Sequence, residues 1–347
     1  MDIIFNALFK LDVANQELTP LPVPEEKKDL KSYIEELLNK ILADSDRKGF
    51  EFQSKTTEIY TLINSIINVK NNNLDEYLMH SEAIGSRLLK KEIESDQRNN
   101  LKVELLKGIV IVSLVRFDNQ NNKVIISKAD YDGFLDAQTY TNKVGFPLKK
   151  KIYKAFLADI DDHGNISRIS VYDTNSAFTV YWWRDFLELK EVYTDEYNTE
   201  NVFDAIETKI LAPIKKKHKA DYIALWNSSV HYFRLKPEFT SEGFIADILT
   251  GYKPFDPALN VTELEDKAKK IFEKGKFDSK FSIVPEKVSK KFKKSIPLTP
   301  QIDLNLKSDI KNLENTIMRY KQPNGDKWVM IKSEEGFEYF GDTNIMP

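Results

Sequence analysis

Near residue 108 the spacing of apolar residues changes period, and that change limits the class of fold open to this chain. Before it, Leu30, Tyr33, Ile34, Leu37, Leu38, Ile41 and Leu42 recur at i, i+3, i+4, i+7, i+8, i+11 and i+12, one apolar stripe along a helix. Ile59, Leu62, Ile63, Ile66 and Ile67 repeat the pattern, and a third helix is predicted over 74–93 with Leu78, Ile84 and Leu88 inward. Asn71-Asn72-Asn73 precedes that helix and offers it a cap. After the change the period is 2. Residues 108–117 and 123–128 read as a hairpin, and 151–161 with 165–172 as a second around Asp162-His163-Gly164. Residues 1–13 add a first strand, and the run Pro20-Leu21-Pro22-Val23-Pro24 is predicted to end it as a connector. The first half is therefore expected to be α+β, its helices packed on one face of an antiparallel sheet.

A second, mixed domain of helices and strands is expected over 176–347, after an N-terminal domain over 1–175. It opens on the aromatic run Tyr181-Trp182-Trp183-Arg184-Asp185-Phe186-Leu187, read as core rather than as a stacking surface for bases. A helix from Thr199 follows, with Val202, Phe203, Ile206, Ile210 and Leu211 on its apolar face and Pro213 closing it. Further helices are predicted at 240–250 and 262–275, and a strand through Ile302, Leu304 and Leu306. A last hairpin turns at Pro323-Asn324-Gly325-Asp326, where Asn-Gly signals a type I′ turn.

Much chemistry is excluded by what is missing. With no cysteine, disulfides, thiolate catalysis and Cys-based zinc or iron–sulfur sites are ruled out. The four histidines, His80, His163, His218 and His231, show no ligand spacing, and no P-loop, dinucleotide fingerprint or nucleophile elbow occurs. Ser228 and Ser229 stand close to His231 on what reads as one strand, an adjacency that rarely builds a triad. No catalytic residue, metal ligand or cofactor is assigned. Carboxylate pairs such as Asp159/Asp161 and Asp195/Glu196 leave a metal-dependent nuclease open, since that chemistry needs only two acids and a lysine. The N-terminus lacks the basic and apolar regions of a signal peptide, and no apolar run approaches membrane length, so the expected compartment is the cytoplasm.

The net charge is −3, so polyanion binding must come from local patches. Three lysine clusters qualify. Lys149, Lys150, Lys151 and Lys154 lead into a strand, while Lys215, Lys216 and Lys217 follow a helix end, where they also complement the helix dipole. The third is the segment 267–294, with 11 lysines against 3 acids, a net +8. Within it residues 285–295 read as a short helix with Val288 and Phe292 inward, the other faces covered by Lys287, Lys290, Lys291, Lys293 and Lys294. Lysines suit phosphate contact, and the absence of Arg, Asn and Gln there predicts sequence-tolerant binding.

Three stretches then occur in a telling order: residues 78–88, Leu-Met-His-Ser-Glu-Ala-Ile-Gly-Ser-Arg-Leu; residues 145–156, Gly-Phe-Pro-Leu-Lys-Lys-Lys-Ile-Tyr-Lys-Ala-Phe; and the aromatic run 181–187 before a helix. In this order the chain resembles the YejK/NdpA-type bacterial nucleoid-associated protein family, whose Tyr-Phe-x-x-Phe-Leu-Gly element the aromatic run is similar to. Glu188 departs from it, standing where the family often has Gly. The resemblance implies DNA binding at the bacterial nucleoid and carries over no catalytic residue. The expected partner is nucleic acid, double-stranded DNA, with no membrane, and a homodimer is left open. A weaker likeness in organisation to components of anti-phage defence systems sets the alternative, a defence protein or a metal-dependent nuclease acting on DNA.

Overall fold

A computed structural model describes residues 2–22, 28–43, 47–99, 108–116, 122–130, 132–135, 142–145, 154–173 and 178–341. The fold is α+β and divides into two compact units, Met1–Asn198 with Phe277–Ser282, and Thr199–Lys276 with Ile283–Pro347. The division falls later than residue 175. The aromatic run belongs to the first unit because Trp182, Phe186, Leu187 and Leu189 are fully buried in its core.

The first unit contains β1 (Asp2–Asp12), β2 (Glu17–Leu21), α1 (Lys28–Ala43), β3 (Lys48–Phe52), α2 (Glu58–Ile67), α3 (Leu74–Asn99), β4 (Gly108–Arg116) and β5 (Asn122–Asp130). β6 (Asp132–Leu135), β7 (Asn142–Gly145), β8 (Lys154–Ile160), β9 (Ile166–Asp173) and β10 (Leu189–Glu191) follow. Eight strands form one antiparallel sheet in the order β10-β3-β9-β8-β5-β4-β1-β2, and β6 pairs with β7 separately. The predicted hairpins β4–β5 and β8–β9 lie at its centre. β3 and the edge strand β10 escaped the sequence reading because they are short and their pairing is long-range.

The helices cover both faces, not one. Phe5, Phe9, Val110, Val112, Val124, Ile126 and Phe156 pack on the side of α2 and α3. The alternate residues Leu8, Ile109, Ile111, Ile125 and Leu157 pack under α1, against Ile34, Leu37, Leu38 and Ile41. A two-sided sheet explains why β4 is a continuous apolar run, buried from Gly108 to Val115. Each α1 side chain so buried contributes roughly 1.5–3 kcal/mol.

Two local expectations change. Leu78 is exposed, and Tyr77 takes the inward position, stacked on Phe5 with ring centroids 4.7 Å apart. Pro20 lies within β2 opposite Phe9, which an edge strand tolerates because its outer N–H has no ladder partner to lose. Asn73 does cap α3, accepting from the Asp75 N–H at 3.1 Å.

The second unit is built around α4 (Asp195–Ala205), which begins in the first unit, and α5 (Lys219–Leu235), β11 (Glu238–Thr240), α6 (Ser241–Phe244) and α7 (Val261–Lys274). Its core is aromatic: Phe203 meets Phe233 at 5.1 Å and Phe292 at 5.6 Å, and Phe239 meets Phe272 at 5.5 Å. β12 (Lys280–Ser282) returns to the first unit. Beyond it lie the hairpin β13 (Lys294–Thr299) and β14 (Ile302–Leu306), then α8 (Leu313–Thr316), the hairpin β15 (Ile317–Lys321) and β16 (Lys327–Ile331), and α9 (Glu334–Phe337). The last turn is not type I′. Only Gly325 has a positive φ (99°), and its N–H donates to the Gln322 carbonyl at 2.9 Å, which makes a longer loop closed by a left-handed glycine.

Candidate nucleic-acid interface

The predicted lysines separate by environment. Lys149, Lys150 and Lys151 lie outside the described residues. Lys154 is 1% exposed and is removed from the candidate surface. It stands on β8 directly between Lys128 of β5 and Asp173 of β9, all three on the face beneath α3. Its ammonium is 3.7 Å from the Asp173 carboxylate. Burial pulls the Lys154 pKa down; Asp173 opposes this, and the like charge of Lys128 adds to it, leaving the group below the ordinary lysine value.

Lys154 belongs to a buried ionic row that the sequence reading missed. Lys128 donates to Glu92 of α3 at 2.5 Å, with both side chains under a tenth exposed, and the Tyr181 hydroxyl donates to the same oxygen at 3.0 Å. Lys48 donates to Glu191 at 2.5 Å and Asp195 at 2.6 Å. Burial lowers its pKa, but the two carboxylates outweigh that and hold it above the usual value. Lys280 donates to the Asp173 carbonyl at 2.9 Å. Asp278 accepts from the Gly49 N–H at 2.8 Å and from Asn198 at 2.7 Å. A Cβ on residue 49 would stand 3.1 Å from that carboxylate, so a glycine fits the approach. Burial raises the Asp278 pKa to about 6 against these hydrogen bonds. A lysine at the end of an apolar strand, as in Ile125-Ile126-Ser127-Lys128, was the one available signal.

The second unit keeps its predicted lysines at the surface. Residues 285–295 do not form one continuous helix: two short 3₁₀ helices, Pro285–Lys287 and Ser289–Phe292, lead into β13. Val288 and Phe292 are inward as expected, and Lys287, Lys290 and Lys293 are exposed. Lys291 is held by Asp204 at 2.6 Å, and Lys294 by Glu207 at 2.5 Å. Burial lowers the Lys294 pKa, but hydrogen bonds with Glu207 and Tyr222 raise it further, so the group stays charged. Lys215, Lys216 and Lys217 are exposed beyond the helix end.

The fold brings two of the three clusters together. The Lys215 and Lys294 ammonium groups each lie 5.5 Å from the centroid of the Tyr222 ring, so they stand no more than twice that, about 11 Å, apart. Lys294 also sits 5.2 Å from the Trp226 ring. Two ring faces thus anchor the junction of two lysine loops, with Lys216, Lys217, Lys290 and Lys293 free to reach a polyanion.

The other candidates are occupied structurally. Asp159 pairs with Lys123, and Asp161 ties its own hairpin by accepting from the N–H groups of His163 and Asn165. Ser228 and Ser229 lie on α5, not on a strand. Ser229 donates to the Leu225 carbonyl at 2.7 Å, while His231 pairs with Asp309 at 2.7 Å. Among the described residues no three His, Asp or Glu side chains gather where they could hold a metal ion, and no helix is long and apolar enough to cross a membrane.

The aromatic run 181–187 is core, as expected. It forms a wide helical turn in which the Leu187 N–H donates to the Trp182 carbonyl at 3.0 Å. Glu188 follows at φ 51°, the left-handed region that glycine occupies freely. Its carboxylate accepts from the Ile59 N–H at the start of α2 (3.0 Å) and pairs with Arg87 at 3.2 Å. Comparison with known protein families, curated proteins and solved structures finds no match.

Proposed function

We propose that this protein binds double-stranded DNA with little sequence preference, in the cytoplasm and at the nucleoid, and that the lysine surface of the second unit makes the contact. The observation that carries the reading is the junction at Tyr222, where lysine loops far apart in sequence converge. Exposed ammonium groups neutralise phosphates and release counterions whatever the base sequence. The two lysine loops, residues 215–219 and 285–294, contain no Arg, Asn or Gln to read a base edge. The left-handed backbone at Glu188 also supports the family resemblance, since a glycine meets that requirement without strain.

Fluorescence anisotropy with two duplexes of equal length and unrelated sequence tests this. Both should bind with similar affinity, in the range of about 10⁻⁴–10⁻⁶ M near physiological salt, and weaken together as salt rises. A preference of about a thousandfold for one duplex, or no binding to either, overturns it. Plasmid cleavage that needs Mg²⁺ or Mn²⁺ would move the assignment to the nuclease reading.

A further inference from the structure

The C-terminal hairpin is exposed on both sides. β15 and β16 form a two-stranded sheet of their own, paired Ile317 to Ile331, Met318 to Met330, Arg319 to Val329, Tyr320 to Trp328 and Lys321 to Lys327. Directly opposed residues share a face, so Met318, Tyr320, Trp328 and Met330 make one wholly apolar or aromatic surface. The other face alternates Ile317, Val329 and Ile331 with Arg319, Lys321 and Lys327. Trp328 is 43% exposed and Val329 49%, on opposite faces, and Tyr339 and Phe340 beyond α9 are each 80% exposed. A lone hairpin is marginal in water, and apolar surface of this extent marks an interaction site.

The charges indicate what covers it. Arg319, Lys321, Lys327 and Lys332 make the hairpin basic, its one acid being Asp326 in the turn, hydrogen-bonded to Asn324 at 2.8 Å. Glu334, Glu335 and Glu338 follow at once. Among the described residues none of these four cations and three carboxylates has an ion-pair partner. Two adjacent, opposite and unpaired charge sets, bordering an apolar face, are self-complementary. A two-fold interface requires that property, since the basic hairpin of one copy can face the acidic segment of the other.

We infer that residues 317–340 are a self-association surface, and that the partner it fits is a second copy of this chain. A nucleic acid would match the cations and stack on Trp328, but the carboxylates of 334–338 would oppose it and aliphatic Val329 and Ile331 offer it nothing. The inference does not depend on the DNA-binding reading.

The test is light scattering after gel filtration of the full chain, without nucleic acid. The wild type should run at twice 40.3 kDa. Arg319→Glu with Lys327→Glu, and separately Glu334→Lys with Glu335→Lys, should each fall to the monomer mass. An equimolar mixture of the two double variants should return to the doubled mass, because each then meets the opposite charge on the other. That recovery also shows that both variants are folded. A monomeric wild type, variants that remain dimeric, or a mixture that stays monomeric each overturn the inference. Loss of oligothymidine binding in the first variant, with a monomeric wild type, would assign the surface to single-stranded nucleic acid.

Discussion

Lys128 and Lys290 both sit in lysine-bearing, apolar-rich sequence, yet the first is 5% exposed and the second is open to solvent. Lys128 stands on a central strand under α3, fixed to Glu92 and next to Lys154. Lys290 stands in a short 3₁₀ helix, and its apolar neighbours, Val288 and Phe292, point the other way. Position in the fold decides the role of a lysine here. In the first unit Lys128 neutralises a buried carboxylate; in the second Lys290 presents its charge to solvent. A buried ion pair adds little net stability but leaves a large penalty when one partner is removed.

The largest effect should come from breaking that pairing. Lys128→Ala strands the Glu92 carboxylate and should cost about 3–5 kcal/mol in urea unfolding of the first unit. Lys290→Ala should change stability by no more than about 0.5 kcal/mol. Equal costs at the two positions would erase the distinction between the units.

Next comes Asp278. Its folded pKa of about 6 lies above the ordinary aspartate value, so the folded state keeps a proton that the unfolded chain releases. The stability it contributes is fully present below about pH 4 and is lost as pH rises through about 6. The wild type should therefore lose on the order of 2–3 kcal/mol relative to Asp278→Asn between those limits. A pH-independent difference between the two proteins would count against the burial of this carboxylate.

The central hairpins of the sheet and the apolar faces of α1 and of the helical stretch 202–211 were legible in the sequence because burial repeats with a fixed period. Ile34, Leu38 and Ile41, or Phe203, Ile206 and Ile210, announce their direction through spacing alone. The buried ionic row was not, because a lysine's burial depends on partners brought in from afar: Lys128 on Glu92, Lys48 on Asp195, Asp278 on Asn198. The site was half legible. Lys287, Lys290 and Lys293 were placed at the surface correctly, but the meeting of Lys215 with Lys294 at Tyr222 needed the fold. Leu78 and Tyr77 show the limit of periodicity, since neighbours on a helix compete for one inward position and packing on Phe5 selects the ring.

A smaller effect belongs to Glu188. Glu188→Ala and Glu188→Gly both remove the contacts to Ile59 and Arg87, but only alanine keeps the left-handed strain. The glycine variant should be more stable than the alanine variant by about 1 kcal/mol in thermal or urea unfolding. The reverse order would mean that the backbone there is not left-handed.

The most direct test of the assignment is the salt dependence of duplex binding by the wild type and by the triple variant Lys216→Gln, Lys290→Gln, Lys293→Gln. Each lysine that neutralises a phosphate contributes about 0.9 to the slope of log affinity against log salt. The variant's slope should therefore be shallower by about 2–3, with affinity weakened alike on unrelated sequences. An unchanged slope and affinity would contradict the claim that this surface is the DNA contact.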